Sequence, residues 1–164
     1  MPQEIERKFL VANDGWRATA DRGRLFRQSY LAETDCAAIR VRIVDGTSAV
    51  ITIKSARSGV SRQEFEYPVP LADAEAIAEL RQGSALQKTR FRVPHAGRTW
   101  EVDVHSGDNA GLVIAEIELE EEAESVEIPP WIGREVTGEQ RYYAARLARR
   151  PFRSWRDNER TGGR

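Results

Sequence analysis

Seven segments of the chain alternate charged or polar residues with apolar residues at a period of two. In the segment IRVRI, for example, Arg40 and Arg42 alternate with three aliphatic residues. Successive side chains of a β-strand point to opposite faces, so this period predicts strands with one ionic and one apolar face. The residues on the predicted ionic faces are, strand by strand, Glu4, Glu6 and Lys8; Arg40 and Arg42; Thr52 and Lys54; Arg62, Glu64 and Glu66; Lys88, Arg90 and Arg92; Glu101, Asp103 and His105; and Glu116, Glu118 and Glu120.

An eighth strand is predicted at residues 25–31, with Tyr30 as a candidate for the polar face. Turn signals separate the strands at hairpin spacing, at Asp45-Gly46, Ser58-Gly59 and Ala96-Gly97. Helical spacing of apolar residues predicts three helices, at residues 14–20, 71–82 and 138–149. We therefore predict a mainly β (α+β) fold with one domain at residues 1–148. Residues 149–164 are rich in arginine and are predicted to be a basic, weakly ordered tail.

Composition restricts the class of protein. With 25 basic and 26 acidic residues the formal net charge is −1, which favours neither a nucleic-acid coat protein nor an acidic tail protein. The single cysteine, Cys36, cannot form an intramolecular disulfide, and we expect it to be at least partly buried. The charged N-terminal residues do not resemble a signal peptide, and no segment approaches the roughly 18 apolar residues of a membrane span. We expect a cytoplasmic protein.

The ionic faces admit two interpretations. An ordinary antiparallel sheet with one solvated face would explain any single strand. Read together, however, the strands repeat charges of one sign on alternate positions, as in Lys88, Arg90 and Arg92, and such neighbours repel without a counter-charge or a ligand. If the eight strands close into an antiparallel barrel with the ionic face inward, acidic strands can hold Mg²⁺ or Mn²⁺ while basic strands hold an anion with several phosphoryl groups. The apolar face would then be covered by the helices, chiefly residues 71–82 and 138–149.

The same segments carry a family resemblance. The run Glu4-Ile5-Glu6-Arg7-Lys8 resembles the ExExK signature of the CYTH, or triphosphate tunnel metalloenzyme, superfamily. The later segments IRVRI, TIKS, SRQEFE, KTRFRV, EVDV, AEIELE and VTGEQRY follow in the order and spacing typical of its short bacterial members, the inorganic triphosphatases. The resemblance spans residues 3–148. It implies an eight-stranded antiparallel tunnel that binds a triphosphate together with Mg²⁺ or Mn²⁺.

The resemblance also implies roles for individual residues. The phosphate-binding set would be Lys8, Arg40, Arg42, Lys54, Lys88, Arg90 and, from the C-terminal helix, Arg141. The metal-binding acids would be Glu4, Glu6, Glu116 and Glu118, with Glu64, Glu66 and Asp103 as further tunnel carboxylates. Lys54 and Tyr30 resemble a pair that positions the phosphate chain and the attacking water, so Lys54, Tyr30 and Glu118 are the expected catalytic residues. We expect His105 to be a solvent-exposed residue at a strand end, with a pH-sensitive phosphate contact as the alternative.

The resemblance implies metal-dependent hydrolysis of a short triphosphate, with inorganic triphosphate giving pyrophosphate and phosphate. Three rivals share the fold: a thiamine triphosphatase, a nucleoside triphosphatase and an adenylyl cyclase. A non-catalytic polyphosphate-binding module is a rival of another class, although an anion binder should avoid acidic strand faces such as Glu4 and Glu6. A nucleic-acid adaptor based on the arginine-rich tail is a weaker alternative. The expected partner is a small-molecule triphosphate, with no membrane and no nucleic acid, and a homodimer is compatible with the sequence.

Overall fold

The computed structural model describes residues 3–56 and 60–163. Antiparallel strands dominate this part of the chain, as their alternating sequences predict. The strands are β1 (Gln3–Val11), β2 (Arg24–Glu33), β3 (Ala37–Val44), β4 (Ser48–Ser55), β5 (Ser61–Val69), β6 (Leu86–His95), β7 (Arg98–Ser106), β8 (Val113–Glu118) and β9 (Ile132–Glu135).

Eight of these strands close into a barrel. Their order is β5-β4-β3-β2-β6-β7-β8-β1, and β1 returns to β5 through the pairs Gln3 with Gln63, Glu4 with Arg62 and Ile5 with Ser61. The predicted closed, eight-stranded antiparallel barrel is therefore confirmed. Strand β9, which the sequence pattern does not predict, lies outside the barrel and pairs with the edge of β1 beyond β5. It has only four residues, too few for an alternating pattern to be visible.

Two of the predicted turns join neighbouring strands. Asp45 and Gly46 connect β3 to β4, and both have positive φ angles, 51° and 64°. Ala96 and Gly97 connect β6 to β7 with φ angles of 48° and 76°. Two successive positive φ angles are the mark of a type I′ hairpin, which is why glycine stands at the second position. The turn signal at Ser58-Gly59 lies outside the described residues.

The helices are shorter than predicted. Helix α1 spans Leu71–Ala78 and ends before residue 82, because the chain turns back to the barrel: the Gln82 amide donates to the Tyr30 carbonyl at 2.8 Å. A 3₁₀ turn, Asp14–Ala18, replaces the first predicted helix. The third divides at Tyr143, whose backbone is extended, into a 3₁₀ turn at Gln140–Tyr142 and helix α2 at Ala144–Arg149. None of the helices in the described segments is long and apolar enough to cross a membrane.

The outward apolar face of the barrel is covered on two sides. Helix α1 packs on β3 and β4, where Ala74 and Ala78 contact Val41 and Ile43. Around β1, β6, β7 and β8 the cover is aromatic instead of helical. The residues of this second cluster include Ile5, Phe9, Trp16, Val93, Trp100, Val102, Ile117 and Trp131. The expectation that helices would cover this face was therefore right only for α1.

The C-terminal segment closes part of one end of the barrel. Leu147 of α2 and Tyr142 pack with Tyr30, Leu86 and Ile114, which share the inward face with the charged residues of their strands. The segment after Arg149, which we expected to be a weakly ordered tail, contributes Trp155, whose side chain is 3% exposed and meets the ring of Tyr142 at 5.2 Å. It also forms the short helix α3 (Asp157–Arg160). The amino-acid sequence does not reveal this anchor, because arginine dominates the composition there.

Candidate active site

The inward face of the barrel surrounds a cavity of about 1120 Å³. Its lining is dominated by charged side chains, which come from all eight strands of the barrel because each strand turns alternate residues inward. The cavity brings together all but two of the predicted site residues, Asp103 and Arg141. Those that line it are Glu4, Glu6, Lys8, Tyr30, Arg40, Arg42, Lys54, Glu64, Glu66, Lys88, Arg90, Glu116 and Glu118. Arg62 and Glu101 also line it, and the sequence analysis placed neither in the site, although each has the inward parity of its strand.

Glu4 is paired with two cations. Lys54 donates from Nζ to both carboxylate oxygens of Glu4, at 3.0 and 3.2 Å, and Arg62 donates from Nε at 2.8 Å. Burial opposes the charge on Glu4, but Lys54 and Arg62 outweigh it and hold the pKa of this carboxyl well below its usual range. Lys54 also lies 3.5 Å from Glu64. Burial raises the pKa of Glu64 to about 8, despite Lys54.

Lys88 and Arg90 share one buried acid. Asp103, which is 1% exposed, accepts from Lys88 Nζ at 2.6 Å and from Arg90 at 2.8 and 2.9 Å. Arg90 also lies 2.9 Å from Glu101 and 3.4 Å from Glu116. Burial, with the charges of Arg90 and Arg42, lowers the pKa of Lys88 to about 8, although Asp103 opposes the shift. Asp103 therefore lies behind the cavity wall and fixes the two cations that line it.

Arg40 and Arg42 have no comparable partner. The nearest carboxylate to Arg40 is Glu66, at 4.0 Å. Within the described residues no carboxylate lies in ion-pair range of Arg42, whose Nε donates instead to Oε1 of Gln28 at 2.7 Å. Burial, followed by the charges of Arg40 and Arg90, lowers the pKa of Arg42 to about 9. Among the described residues these two inward-facing guanidinium groups have no carboxylate closer than the 4.0 Å of Glu66, which is a favourable arrangement for binding an anion.

The four carboxylates predicted to hold a metal lie on neighbouring strands. Glu6 pairs directly with Glu118, and Lys8 pairs with Glu116, to which its Nζ lies 3.4 Å away. Burial, and then the charges of Glu116 and Glu4, raise the pKa of Glu6. Burial, with Glu4 and Glu101, raises the pKa of Glu118 as well. These raised pKa values reflect repulsion between neighbouring carboxylates, and a divalent cation bound between them would neutralise that charge. Carboxylate oxygens are also the ligands that Mg²⁺ and Mn²⁺ prefer, so the chemistry of this group fits either metal.

These carboxylates do not form a ready-made coordination shell. Across residues 3–56 and 60–163 no three acidic, histidine or cysteine side chains converge closely enough to hold a metal ion. Glu4 turns towards Lys54 and Arg62, and Glu116 lies between Lys8 and Arg90. Burial opposes ionisation of Glu116, but these two cations lower its pKa to about 2. The acids therefore gather on one wall of the tunnel, where Glu4 and Glu116 are each held by two basic neighbours.

Tyr30 and Lys54 line the same cavity without touching. Tyr30 is 8% exposed and packs in the cluster formed with the C-terminal segment. No hydrogen bond joins it to Lys54 in the described part of the chain, where Lys54 is bonded to Glu4. Burial lowers the pKa of Arg62, but Glu4 outweighs this effect and raises it. The phenol of Tyr30 is near enough to Arg62 to contribute to the rise. A ligand between the two side chains would be needed to connect them.

Arg141 lies outside the cavity. Its guanidinium donates to the carbonyl of Gly163, forms an ion pair with Glu139 at 3.5 Å and lies over the ring of Trp155 at 5.4 Å. The residues of the C-terminal segment that line the cavity are instead Gly138, Gln140, Tyr143, Ala144, Ala145 and Arg146. The folded C-terminal segment thus binds the arginine that the family resemblance placed in the tunnel.

Two expectations about single residues are wrong. His105 is not a solvent-exposed strand-end residue: it is 6% exposed, and its Nδ1 lies 3.1 Å from the Leu112 carbonyl. Burial, with Lys88 nearby, lowers its pKa to about 4, so it is a neutral residue beside the Lys88–Asp103 pair. Cys36 is exposed, because it lies in the turn between β2 and β3, where the chain leaves the barrel.

Comparison with known proteins agrees with this geometry. The inorganic triphosphatase of Acetivibrio thermocellus is 40% identical over 158 residues, which cover 96% of this chain and 100% of the relative. The inorganic triphosphatase of Nitrosomonas europaea is 38% identical over 154 residues, covering 88% of this chain and 96% of the relative. A crystal structure of an inorganic triphosphatase matches with a TM-score of 0.65 and 34% identity, over 90% of this chain and 95% of that one. Residues 2–151 match the CYTH domain, and the chain therefore belongs to the CYTH domain family.

Proposed function

We propose that this protein hydrolyses inorganic triphosphate to pyrophosphate and phosphate with the help of Mg²⁺ or Mn²⁺, in the cytoplasm. The observation that carries the proposal is the cavity itself. Its wall combines Arg40 and Arg42, to which no described carboxylate comes closer than 4.0 Å, with a separate group of carboxylates. A triphosphate carries several negative charges along a short chain, and several cations in one enclosed space match it better than they match a single phosphate. The two inorganic triphosphatases at 38–40% identity support the same substrate.

The basic residues would bind and orient the phosphate chain. Arg42 can accept a phosphoryl group without first breaking an ion pair, and Arg40 would give up only a 4.0 Å contact with Glu66. Lys8, Lys54, Lys88 and Arg90 would exchange part of their contact with acids for contact with phosphate. In phosphoryl transfer the enzyme mainly positions groups and stabilises charge, so such an array provides catalysis without a nucleophilic side chain.

The acidic wall would hold the metal and orient water. Glu4, Glu6, Glu116 and Glu118 would hold the divalent cation, which supplies Lewis-acid stabilisation of the phosphoryl oxygens when bound. Glu118 reaches the cavity with a raised pKa, caused first by burial and then by Glu4 and Glu101, so it can accept a proton from the attacking water more readily than an ordinary glutamate. Lys54 and Tyr30 would position the terminal phosphate and that water from the other side.

The placement of the tryptophans favours inorganic triphosphate over nucleotides. Trp100 and Trp131 could have gripped a base, but their rings pack against each other at 5.8 Å in the outer aromatic cluster. Neither lines the cavity. The groups that do line it address phosphate, so we expect little gain in binding from an adenine or thiamine group.

A phosphate-release assay tests the proposal. Purified protein with Mg²⁺ or Mn²⁺ should cleave inorganic triphosphate with a higher kcat/KM than ATP, thiamine triphosphate or long-chain polyphosphate, and EDTA should abolish turnover. Glu118→Gln should lower kcat at least ~10²-fold, the range expected for losing a preorganised electrostatic group. Glu120→Gln is the matched control, since Glu120 is an exposed residue just beyond β8. Equal or better turnover of ATP, or full activity in EDTA, would refute the proposal.

A further inference from the structure

We infer that Gln28 is a positioning residue for Arg42: it fixes the guanidinium so that only the edge formed by its two terminal nitrogens faces the substrate. The inference rests on the proposed function, since it concerns how the tunnel grips a phosphoryl group. It starts from a polar side chain to which the sequence pattern gave no role. Gln28 is fully buried in β2 and shares the inward face with Tyr30.

The contact between the two side chains is direct. Gln28 and Arg42 are register partners on β2 and β3, and Oε1 of Gln28 accepts from Nε of Arg42 at 2.7 Å. Because arginine can only donate, the oxygen of the amide must face it, which settles the amide orientation. With Nε occupied, the two terminal nitrogens are the donors left for an anion. Two parallel donors on one edge match two oxygens of a phosphoryl group.

A second side chain fixes the plane of the guanidinium. Phe26, two residues before Gln28 on the same face, lies under Arg42 with 4.5 Å between the guanidinium carbon and the ring centroid. Arg90 meets the same ring at 5.2 Å. The ring sets the tilt of the guanidinium and Gln28 sets its rotation within the plane. Phe26 is 7% exposed, so water competes little with either contact.

Arg90, which contacts the same ring, does not need a neutral partner of this kind. Arg90 is oriented by Asp103, which accepts from its Nε and Nη2. A carboxylate in the same place would orient Arg42 equally well but would also cancel its charge. A neutral amide orients the guanidinium and leaves its charge available to a polyanion. Glutamine is therefore the residue type that an anion-binding arginine requires here.

The other end of Gln28 indicates that the amide is kept for its oxygen. Within the described residues its Nε2 is buried and has no hydrogen-bond partner. A buried donor without a partner destabilises the folded protein. A methionine or leucine of similar volume would avoid that cost, so the amide is unfavourable for packing alone and useful only through the bond to Arg42.

A double-mutant cycle on kcat/KM for inorganic triphosphate tests the inference. Gln28→Met removes the acceptor at similar volume, and Arg42→Lys keeps the charge but removes the Nε donor. We expect Gln28→Met to lower kcat/KM about tenfold in the wild-type protein, the lower part of the range for a hydrogen bond to a charged group. In the Arg42→Lys background the same substitution should cost less than about twofold. The melting temperature of the ligand-free protein should change little, because the variant removes the unpaired Nε2 donor of Gln28 and leaves Nε of Arg42 unpaired instead.

The outcomes separate positioning from structure. An equal loss from Gln28→Met in both backgrounds, or a loss of activity that follows a lower melting temperature, would mean that Gln28 only supports the fold and would overturn the inference. Gln28→Leu serves as the second variant if the methionine variant does not fold. Should the wild-type protein not turn over triphosphate, the proposed function fails, and the cycle is then measured as the Kd of triphosphate with Ca²⁺ by calorimetry. Absence of coupling in that binding cycle would overturn the inference separately.

Discussion

Two pairs of inward-facing cations occupy similar places in the barrel and differ in what surrounds them. Lys88 and Arg90 on β6 have Asp103 between them, supplied by β7, where it is the register partner of Arg90. Arg40 and Arg42 on β3 are paired with Thr52 and Val50 of β4 on one side and with Tyr30 and Gln28 of β2 on the other. The same alternating sequence pattern thus gives one compensated pair and one uncompensated pair.

The difference indicates a division of labour. A cation with a buried acid keeps its place in the empty protein, but part of its charge is already used. A cation without an acid destabilises the empty protein and has its full charge available for a ligand. We therefore expect the β6 pair to matter more for stability and the β3 pair to matter more for binding.

The largest effect is expected from Asp103→Asn on stability. The substitution leaves Lys88 and Arg90 buried without their shared charge, and breaking a buried ion pair costs about 3–5 kcal/mol. Urea unfolding without phosphate or metal measures the loss in the free energy of unfolding. Glu101→Gln is the matched control, because Glu101 also pairs with Arg90 but its side chain is 35% exposed, and we expect it to cost about 1 kcal/mol or less. If Asp103→Asn lowered the free energy of unfolding by less than about 1 kcal/mol, Lys88, Arg90 and Asp103 would not have the structural role assigned to them.

Arg42→Ala should act on activity and not on stability. We expect kcat/KM for triphosphate to fall about 10–100-fold, mostly through a higher KM, from the loss of 1.5–3 kcal/mol in charged hydrogen bonds. The free energy of unfolding should stay level or rise, since Arg42 repels Arg40 and Arg90. Arg27→Ala, on the outer face of β2 and paired with Glu75, should leave kcat/KM unchanged. If Arg42→Ala lowered the free energy of unfolding and left kcat/KM normal, the β3 pair would serve stability and not binding, contrary to our expectation.

A smaller effect is expected from pH. Burial places the pKa of Lys88 and the pKa of Glu64 both at about 8 in the empty protein. As the pH rises through 8, Lys88 loses a positive charge and Glu64 gains a negative one, so both changes weaken the binding of a polyanion. We expect KM for triphosphate to rise about three- to tenfold between pH 7 and 9, at saturating metal and constant ionic strength. Glu64→Gln should reduce this rise, and a flat KM in the wild-type protein would show that neither group titrates in this range.

The sequence could predict the barrel and most of the residues that face its cavity, because strand parity is a local property. Lys8, Arg40 and Glu116 face inward for the same reason that their odd-numbered neighbours pack outward. The pairing of charges could not be predicted, because it depends on the register between strands distant in sequence. The sequence around Lys88 does not indicate that Asp103 lies beside it, and the sequence around Arg42 does not indicate that its hydrogen-bond partner is the neutral amide of Gln28.

The absence of some residues from the predicted site has a specific physical reason in each case. Gln28 is uncharged and follows Phe26 on the same face, so it does not fit a pattern of alternating ionic and apolar residues. Arg62 and Glu101 do fit that pattern, and counting every inward residue as a site candidate would have included them. Trp155 was hidden in an arginine-rich segment, although a single tryptophan among polar residues is a signal for an anchoring contact.

The most direct test of the inward-facing ionic tunnel is the thermal stability of the protein with and without ligand. Triphosphate with Ca²⁺, used to avoid turnover, should relieve the repulsion between Arg40 and Arg42 and among the carboxylates. A ligand at ~100 times its Kd adds about 2.7 kcal/mol, which corresponds to a rise in Tm of roughly 5–10 °C for a domain near this size. Monophosphate at the same concentration should hardly change Tm. If triphosphate and monophosphate gave the same small shift in a well-folded sample, the tunnel would not be a triphosphate site.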